Sequence, residues 1–214
     1  MSDEDVQNLI AENLQRPPML DTETGLQTAQ KVFEIADSHK IESALVGGVA
    51  MYLYGSDRLT KDIDFIANQR LPLEATRFLS FGGERYAVKI GEKTIDVDWI
   101  VRRDNYKDFY KQALADAVTL SNGIRIISAE WLTILKYIAG RGKDDLDAIW
   151  LLQQSGLVNR RQIKQNLIKV AGETFGDIIF RELNKRYFYL ADNQTDGDEN
   201  ESYASANDYP EYND

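Results

Sequence analysis

The chain has 214 residues, 43% of them hydrophobic, enough to bury one core with a small helical appendage and too few for two large domains. It has no cysteine and a single histidine, His39, which excludes disulfides and thiolate metal sites and leaves little material for a zinc site or a serine-type triad, so any metal must be held by oxygen. The net charge of -10 is concentrated at one end: Asp192 to Asp214 holds eight acidic residues and no Lys or Arg, and removing those eight from the 35 acids leaves 27 against 25 basic residues, so total charge does not exclude an RNA partner.

Residues 1–18 read as an appendage, with a short helix through Val6, Leu9, Ile10 and Leu14 broken at Arg16-Pro17-Pro18. This start is polar and acidic, unlike a signal peptide, and no run of eighteen apolar residues exists, so the expectation is a soluble, cytoplasmic protein with no membrane partner. Helical spacing of Leu26, Ala29, Val32, Phe33 and Ala36 predicts an amphipathic helix over Thr22 to Lys40. Ser43 to Val46 reads as a buried strand that runs into Gly47-Gly48 and a short helix ending near Gly55. Lys61 to Ala67 alternates as a second strand, Leu73 to Ser80 suits a helix, and Tyr86 to Ile90 with Thr94 to Val101 predicts a hairpin around Gly91-Glu92-Lys93. A helix over Tyr106 to Ala117 and a strand at Ile124 to Ile127, after the turn signal Ser121-Asn122-Gly123, complete an α/β core over 19–128. Four helices follow in 129–191, at Ala129 to Ala139, Asp144 to Gln154, Arg160 to Val170 and Phe175 to Tyr189. The acidic stretch 192–214 has no periodicity and is expected to be disordered. The fold class is therefore α+β, a small mixed sheet flanked by helices and followed by a helical C-terminal half.

Residues two apart on a strand share a face, so Asp62 and Asp64 stand side by side while Ile63 and Phe65 point to the core. Two adjacent carboxylates repel unless a cation sits between them, and hard oxygen donors favour magnesium. A solvated strand edge presents the same pattern, so the pair alone decides little. A second pair, Asp96 and Asp98, occupies the strand Thr94 to Val101, and if the two strands are neighbours three or four carboxylates converge, as a two-metal site requires. Gly47-Gly48, fourteen positions before Asp62 at its second glycine, supplies a strand-to-helix turn whose backbone N–H groups can approach phosphate.

Val46-Gly47-Gly48, then Asp62-Ile63-Asp64, then a later strand with aspartate, resembles the DNA polymerase beta-like nucleotidyltransferase superfamily. Tyr54 to Lys61 and Leu135 to Asp147 resemble the bacterial branch of AbiEii-type toxins and related uncharacterised nucleotidyltransferases, with coverage of about Ile41 to Leu152. The resemblance implies transfer of a nucleotide from an NTP to an acceptor hydroxyl with Mg2+ (or Mn2+), held by Asp62, Asp64 and a third carboxylate for which Asp98 fits better than Asp96. It implies Lys136, Lys143, Asp144 and Asp147 as the downstream motif, with Lys136 and Asp144 in catalysis. Gly47, Gly48, Arg58 and Thr60, with Lys136, become candidate nucleotide contacts, although a structural job serves Arg58 and Thr60 equally well. Implied partners are an RNA or tRNA end, or a protein, as acceptor, and a cognate antitoxin if the protein is a toxin. Arg102, Arg103, Arg160, Arg161, Lys164 and Lys169 are candidates for guiding RNA, against the commoner case of solvated helix faces. Two further functions stay open: a silent nucleotide-binding or interaction protein, and a small-molecule adenylyltransferase of the aminoglycoside type.

Overall fold

The computed structural model describes residues 19–57 and 60–193. The helix expected within residues 1–18, Arg58 and the residues after Asn193 lie outside the described residues. Helix α1, Thr22–Ser38, begins where the Asp21 carboxylate accepts from the Thr24 N–H at 2.9 Å, an N-cap that satisfies a donor the helix itself cannot. Its stripe of Thr28, Ala29, Val32 and Ala36 is fully buried, which is the face the sequence periodicity predicts.

Strand β1, Ser43–Val46, is buried along its whole length and leads into α2, Gly47–Leu53. Next come β2, Asp62–Ala67; β3, Arg77–Phe78; β4, Glu84–Ile90; and β5, Lys93–Ile100. Helix α3, Lys107–Ala115, and the short strands β6, Val118–Thr119, and β7, Arg125–Ile126, complete a seven-stranded sheet of order β3-β4-β5-β2-β1-β7-β6. It is mixed: β2 runs antiparallel to β1 but parallel to β5, and β4 and β5 form the antiparallel hairpin.

One face of β2 and β5 is core. Ile63, Phe65, Val97 and Trp99 are fully buried, and the Phe65 and Trp99 rings meet at a centroid distance of 5.3 Å. The period of two then forces Asp62, Asp64, Asp96 and Asp98 onto the other face.

The helix expected over Leu73 to Ser80 is not formed. That segment bends after Pro72 and enters the edge strand β3, which pairs with Glu84 and Arg85. Thr76 donates its N–H and hydroxyl to the Arg85 carbonyl at 2.8 and 3.0 Å, and Gly82 and Gly83, both at positive φ, return the chain onto β4. Sheet pairing at an open edge thus overrides a weak local helical pattern. Strand β6, which the sequence pattern does not reveal, is a second edge piece folded back on β7 around Gly123.

The C-terminal part is helical. Helix α4, Ala129–Ala139, starts at the Ser128 cap and stops at Gly140, which takes the left-handed conformation at φ 64°. Helix α5 is Gly142–Gln153, and α6, Arg160–Leu183, is broken at Gly172 (φ 78°, ψ 167°), so the two helices expected there are consecutive around a kink. A π-helical turn, Asn184–Phe188, and α7, Tyr189–Asn193, follow and bury Leu183, Tyr187 and Phe188. Among the described residues no helix is long and apolar enough to cross a membrane.

Candidate active site

The parallel register of β2 on β5 sets Asp62 opposite Asp96 and Asp64 opposite Asp98, so the two acidic pairs of the sequence become a square of four carboxylates. Asp64 is the most electrostatically stressed of them. Burial first, then the charges of Asp62 and Asp98, push its carboxyl up to about 7, against the opposing pull of Lys136 and Lys143.

Gly47 explains how Asp64 fits. At φ 66° it occupies backbone space that side chains avoid, and a Cβ there would stand 1.9 Å from the Asp64 Oδ2. The glycine turn is therefore the seat of a carboxylate, and it also lines the cleft. Thr60 braces the neighbouring acid, its hydroxyl donating to the Asp62 carbonyl at 3.0 Å and, at 3.4 Å, to its carboxylate.

Sequence reasoning does not single out Arg85, yet it is the centre of the square. On β4 it pairs directly opposite Asp98. Its Nε and Nη2 donate to the two Asp98 oxygens at 2.5 and 2.7 Å, Nη2 also reaches Asp62 at 3.1 Å, and Nη1 reaches Asp96 at 3.0 Å. The hydrogen bonds that Arg85 donates to Asp98, with the charges of Asp98, Asp96 and Asp62, push the guanidinium further above its ordinary range than burial can pull it down. Among the described residues no three acidic or histidine side chains are disposed to hold a metal ion as they stand.

Across the cleft, α4 and the start of α5 present the other sign of charge. Lys136, 6% exposed, donates to Asp144 at 3.0 Å and to Asp147 at 2.6 Å, which are 0% and 4% exposed. Asp144 also accepts from Arg141 at 2.5 and 3.2 Å. Burial opposes the Asp144 charge, but the hydrogen bond from Arg141 and the charge and hydrogen bond of Lys136 outweigh it and hold the carboxyl below its usual range. Lys136 is thus committed to two carboxylates, and the more exposed cations at the rim are Arg141, which Asp144 holds, and Lys143. A cleft of about 410 Å³ separates the two walls, lined by Gly47, Gly48, Thr60, Asp62, Asp64, Arg85 and Asp98 on one side and by Lys136, Arg141, Lys143 and Asp144 on the other.

Among the basic residues considered for RNA, Arg102 lines the cleft, bound to Asp104 at 2.8 Å and stacked near Phe81, Tyr106 and Tyr110. Arg160, Lys164 and Lys169 are paired with Asp192, Asp177 and Asp116 outside it. Among the described residues, the His39 ring bonds to its own helix end, through Ser38 and the Ile35 carbonyl.

With this geometry in view, residues 25–186 match the family described as nucleotidyl transferase of unknown function (DUF2204). The chain belongs to this family. Among solved structures, this nucleotidyl transferase family member is similar to an antigenic nucleotidyltransferase-like protein from Paracoccidioides brasiliensis, at TM-score 0.45 and 14% identity over 79% of this chain and 96% of the other. It is also similar to the antibiotic-resistance factor ANT(2'')-Ia, at TM-score 0.37 and 14% identity over 82% of this chain and 99% of that one. No curated protein matches the sequence.

Proposed function

We propose that the cleft moves a nucleotidyl group from an NTP to an acceptor hydroxyl with the help of Mg2+ or Mn2+, in the manner of the toxin-like branch. The observation that carries this reading is the β2 on β5 register, which gathers Asp62, Asp64 and Asp98 opposite a cationic wall. The donor set suits a hard divalent ion: carboxylate oxygens, no competing thiolate or imidazole, and an Asp64 whose charge is costly without a cation nearby. Asp62, Asp64 and Asp98 would hold the metal, which supplies a Lewis acid for the phosphoryl oxygens and lowers the acceptor hydroxyl's proton affinity.

The chain's own residues do the rest. Lys143 and Arg141 face the triphosphate, with Asp144 and Lys136 fixing Arg141 and the helix start that carries it. The Gly47-Gly48 turn lines the cleft beside Asp64, where its backbone can meet phosphate. Asp98 takes the acceptor proton as the new O–P bond forms and the bond to pyrophosphate breaks in line. RNA, including a tRNA end, and a protein hydroxyl are the acceptors in view.

The test is incubation of purified protein with each labelled NTP, Mg2+, and total tRNA or cell lysate. Label transfer that disappears in the Asp62→Ala, Asp64→Ala variant is expected. No transfer, and no difference from that variant, would sink the enzyme claim. A toxin role, with a cognate antitoxin as partner, predicts growth arrest on expression that the same double substitution relieves.

One observation favours a second reading, a silent nucleotide-binding protein: Arg85 already pairs with three of the carboxylates. Tight NTP binding without Mg2+ dependence or product, measured by calorimetry, would support it.

A further inference from the structure

Both oxygens of Asp98 and one of Asp62 are engaged by Arg85 donors, so the two acids that span the strands face a guanidinium and not open space. Arg85 reaches them from β4 with its side chain 20% exposed, opposite Asp98 in the ladder, a placement fixed by the hairpin. A divalent ion between Asp62 and Asp98 would need the same lone pairs, and its charge would lie within a few ångströms of the guanidinium; like charges at that range repel strongly in a half-buried site. The remaining Arg85 bond, from Nη1 to Asp96, goes to the most exposed of the carboxylates that Arg85 contacts, at 48%.

We infer that Arg85 is a built-in counter-ion of the carboxylate site, competing with the divalent cation for Asp62 and Asp98, and that metal loading moves its guanidinium outward onto Asp96. This rests on the metal-dependent reading above. It gives Asp96 a task distinct from ligation, as the retaining acid for the displaced guanidinium, and it makes metal affinity deliberately weak until a triphosphate brings further negative charge into the cleft. Arg85 is thus a positioning residue.

The test is Mn2+ binding by calorimetry, and by the electron paramagnetic signal of free Mn2+, with no nucleotide present. Wild type, Arg85→Met, Arg85→Lys and the Asp62→Ala, Asp64→Ala control are compared, each shown to be folded by circular dichroism. Arg85→Met is expected to bind Mn2+ about tenfold more tightly than wild type, the scale set by removing one nearby like charge. In EDTA it should melt below wild type and gain more on adding Mn2+. Arg85→Lys, which keeps the charge but loses the fork, should fall between the two and serves alone if Arg85→Met does not fold. Variants that bind Mn2+ no more tightly than a wild type that does bind it would overturn the inference and leave the metal reading intact. If Arg85→Met and Arg85→Lys fail to bind Mn2+ as completely as wild type and the double alanine control, the metal reading falls and takes this inference with it.

Discussion

Gly47 and Asp64 are one steric unit, since the glycine's missing side chain is where the carboxylate sits. Gly47→Ala should therefore cost about 1–2 kcal/mol from the left-handed backbone alone. Displacement of Asp64 should lower nucleotide transfer roughly a hundredfold, the usual cost of a misplaced reacting group. Thermal melts and label transfer read the two effects separately. Asp64 also ties stability to pH. Its carboxyl, raised to about 7 in the folded chain, keeps its proton there at pH values where the unfolded chain has released it. This contribution is fully present below the ordinary carboxylate value of 3.8 and is lost as pH rises through about 7. In EDTA, wild type should lose on the order of 5 °C in Tm between pH 5 and pH 8 relative to Asp64→Asn, whose melting lacks this titration. Parallel pH profiles for the two proteins would refute the assignment. Arg85 shows where sequence reasoning stops at this scale. A three-residue turn at Gly91-Glu92-Lys93 would set Tyr86 opposite Asp98, whereas the observed ladder pairs Ile90 with Lys93 and so brings Arg85 there instead. One residue of turn length decides whether a guanidinium or a phenol faces the carboxylates.

At the scale of elements, α4 and α5 are joined by the buried bonds from Lys136 to Asp144 and Asp147. Lys136→Met leaves Asp147 and part of Asp144 facing an apolar stem, at a cost of about 3 kcal/mol in chemical denaturation. Adding Asp147→Leu should recover part of that loss, because the second substitution removes a buried carboxylate that has lost its Lys136 bond; simple addition of the two penalties would contradict the coupling. The long elements were legible in the sequence because their patterns are strong: the α1 stripe, the alternation of β2 and β5, and α4 with its Ser128 cap and Gly140 stop. The misread segment, Leu73 to Ser80, is short and lies at an edge, where its neighbours and not its own periodicity set its conformation. The acidic pairs were visible as pairs, but their convergence depended on β2 and β5 being neighbours, a long-range fact that no local pattern encodes. Arg141 was within reach of the sequence, because its bond to Asp144 spans only three residues across a helix start.

At the scale of the molecule, the sheet supplies the anionic wall of the cleft and the helical part the cationic wall, so the site exists only while both are docked. The closing segment holds the helical part together through Tyr187, Phe188 and Ala191, each no more than 2% exposed. A chain ended after Leu183 should lose more than about 3 kcal/mol of stability through the exposure of those side chains and their partners. Denaturant titration measures the loss, and an unchanged midpoint would show that this segment is dispensable. The alternation of β2 has a consequence for how this protein can change over time. Ile63 and Phe65 fill the core while Asp62 and Asp64 face the cleft, so inserting or deleting one residue between them would turn charges inward and hydrophobes outward at a stroke. Foldability and chemistry are written on the same four residues, Asp62, Ile63, Asp64 and Phe65, and neither is free to drift in length without the other.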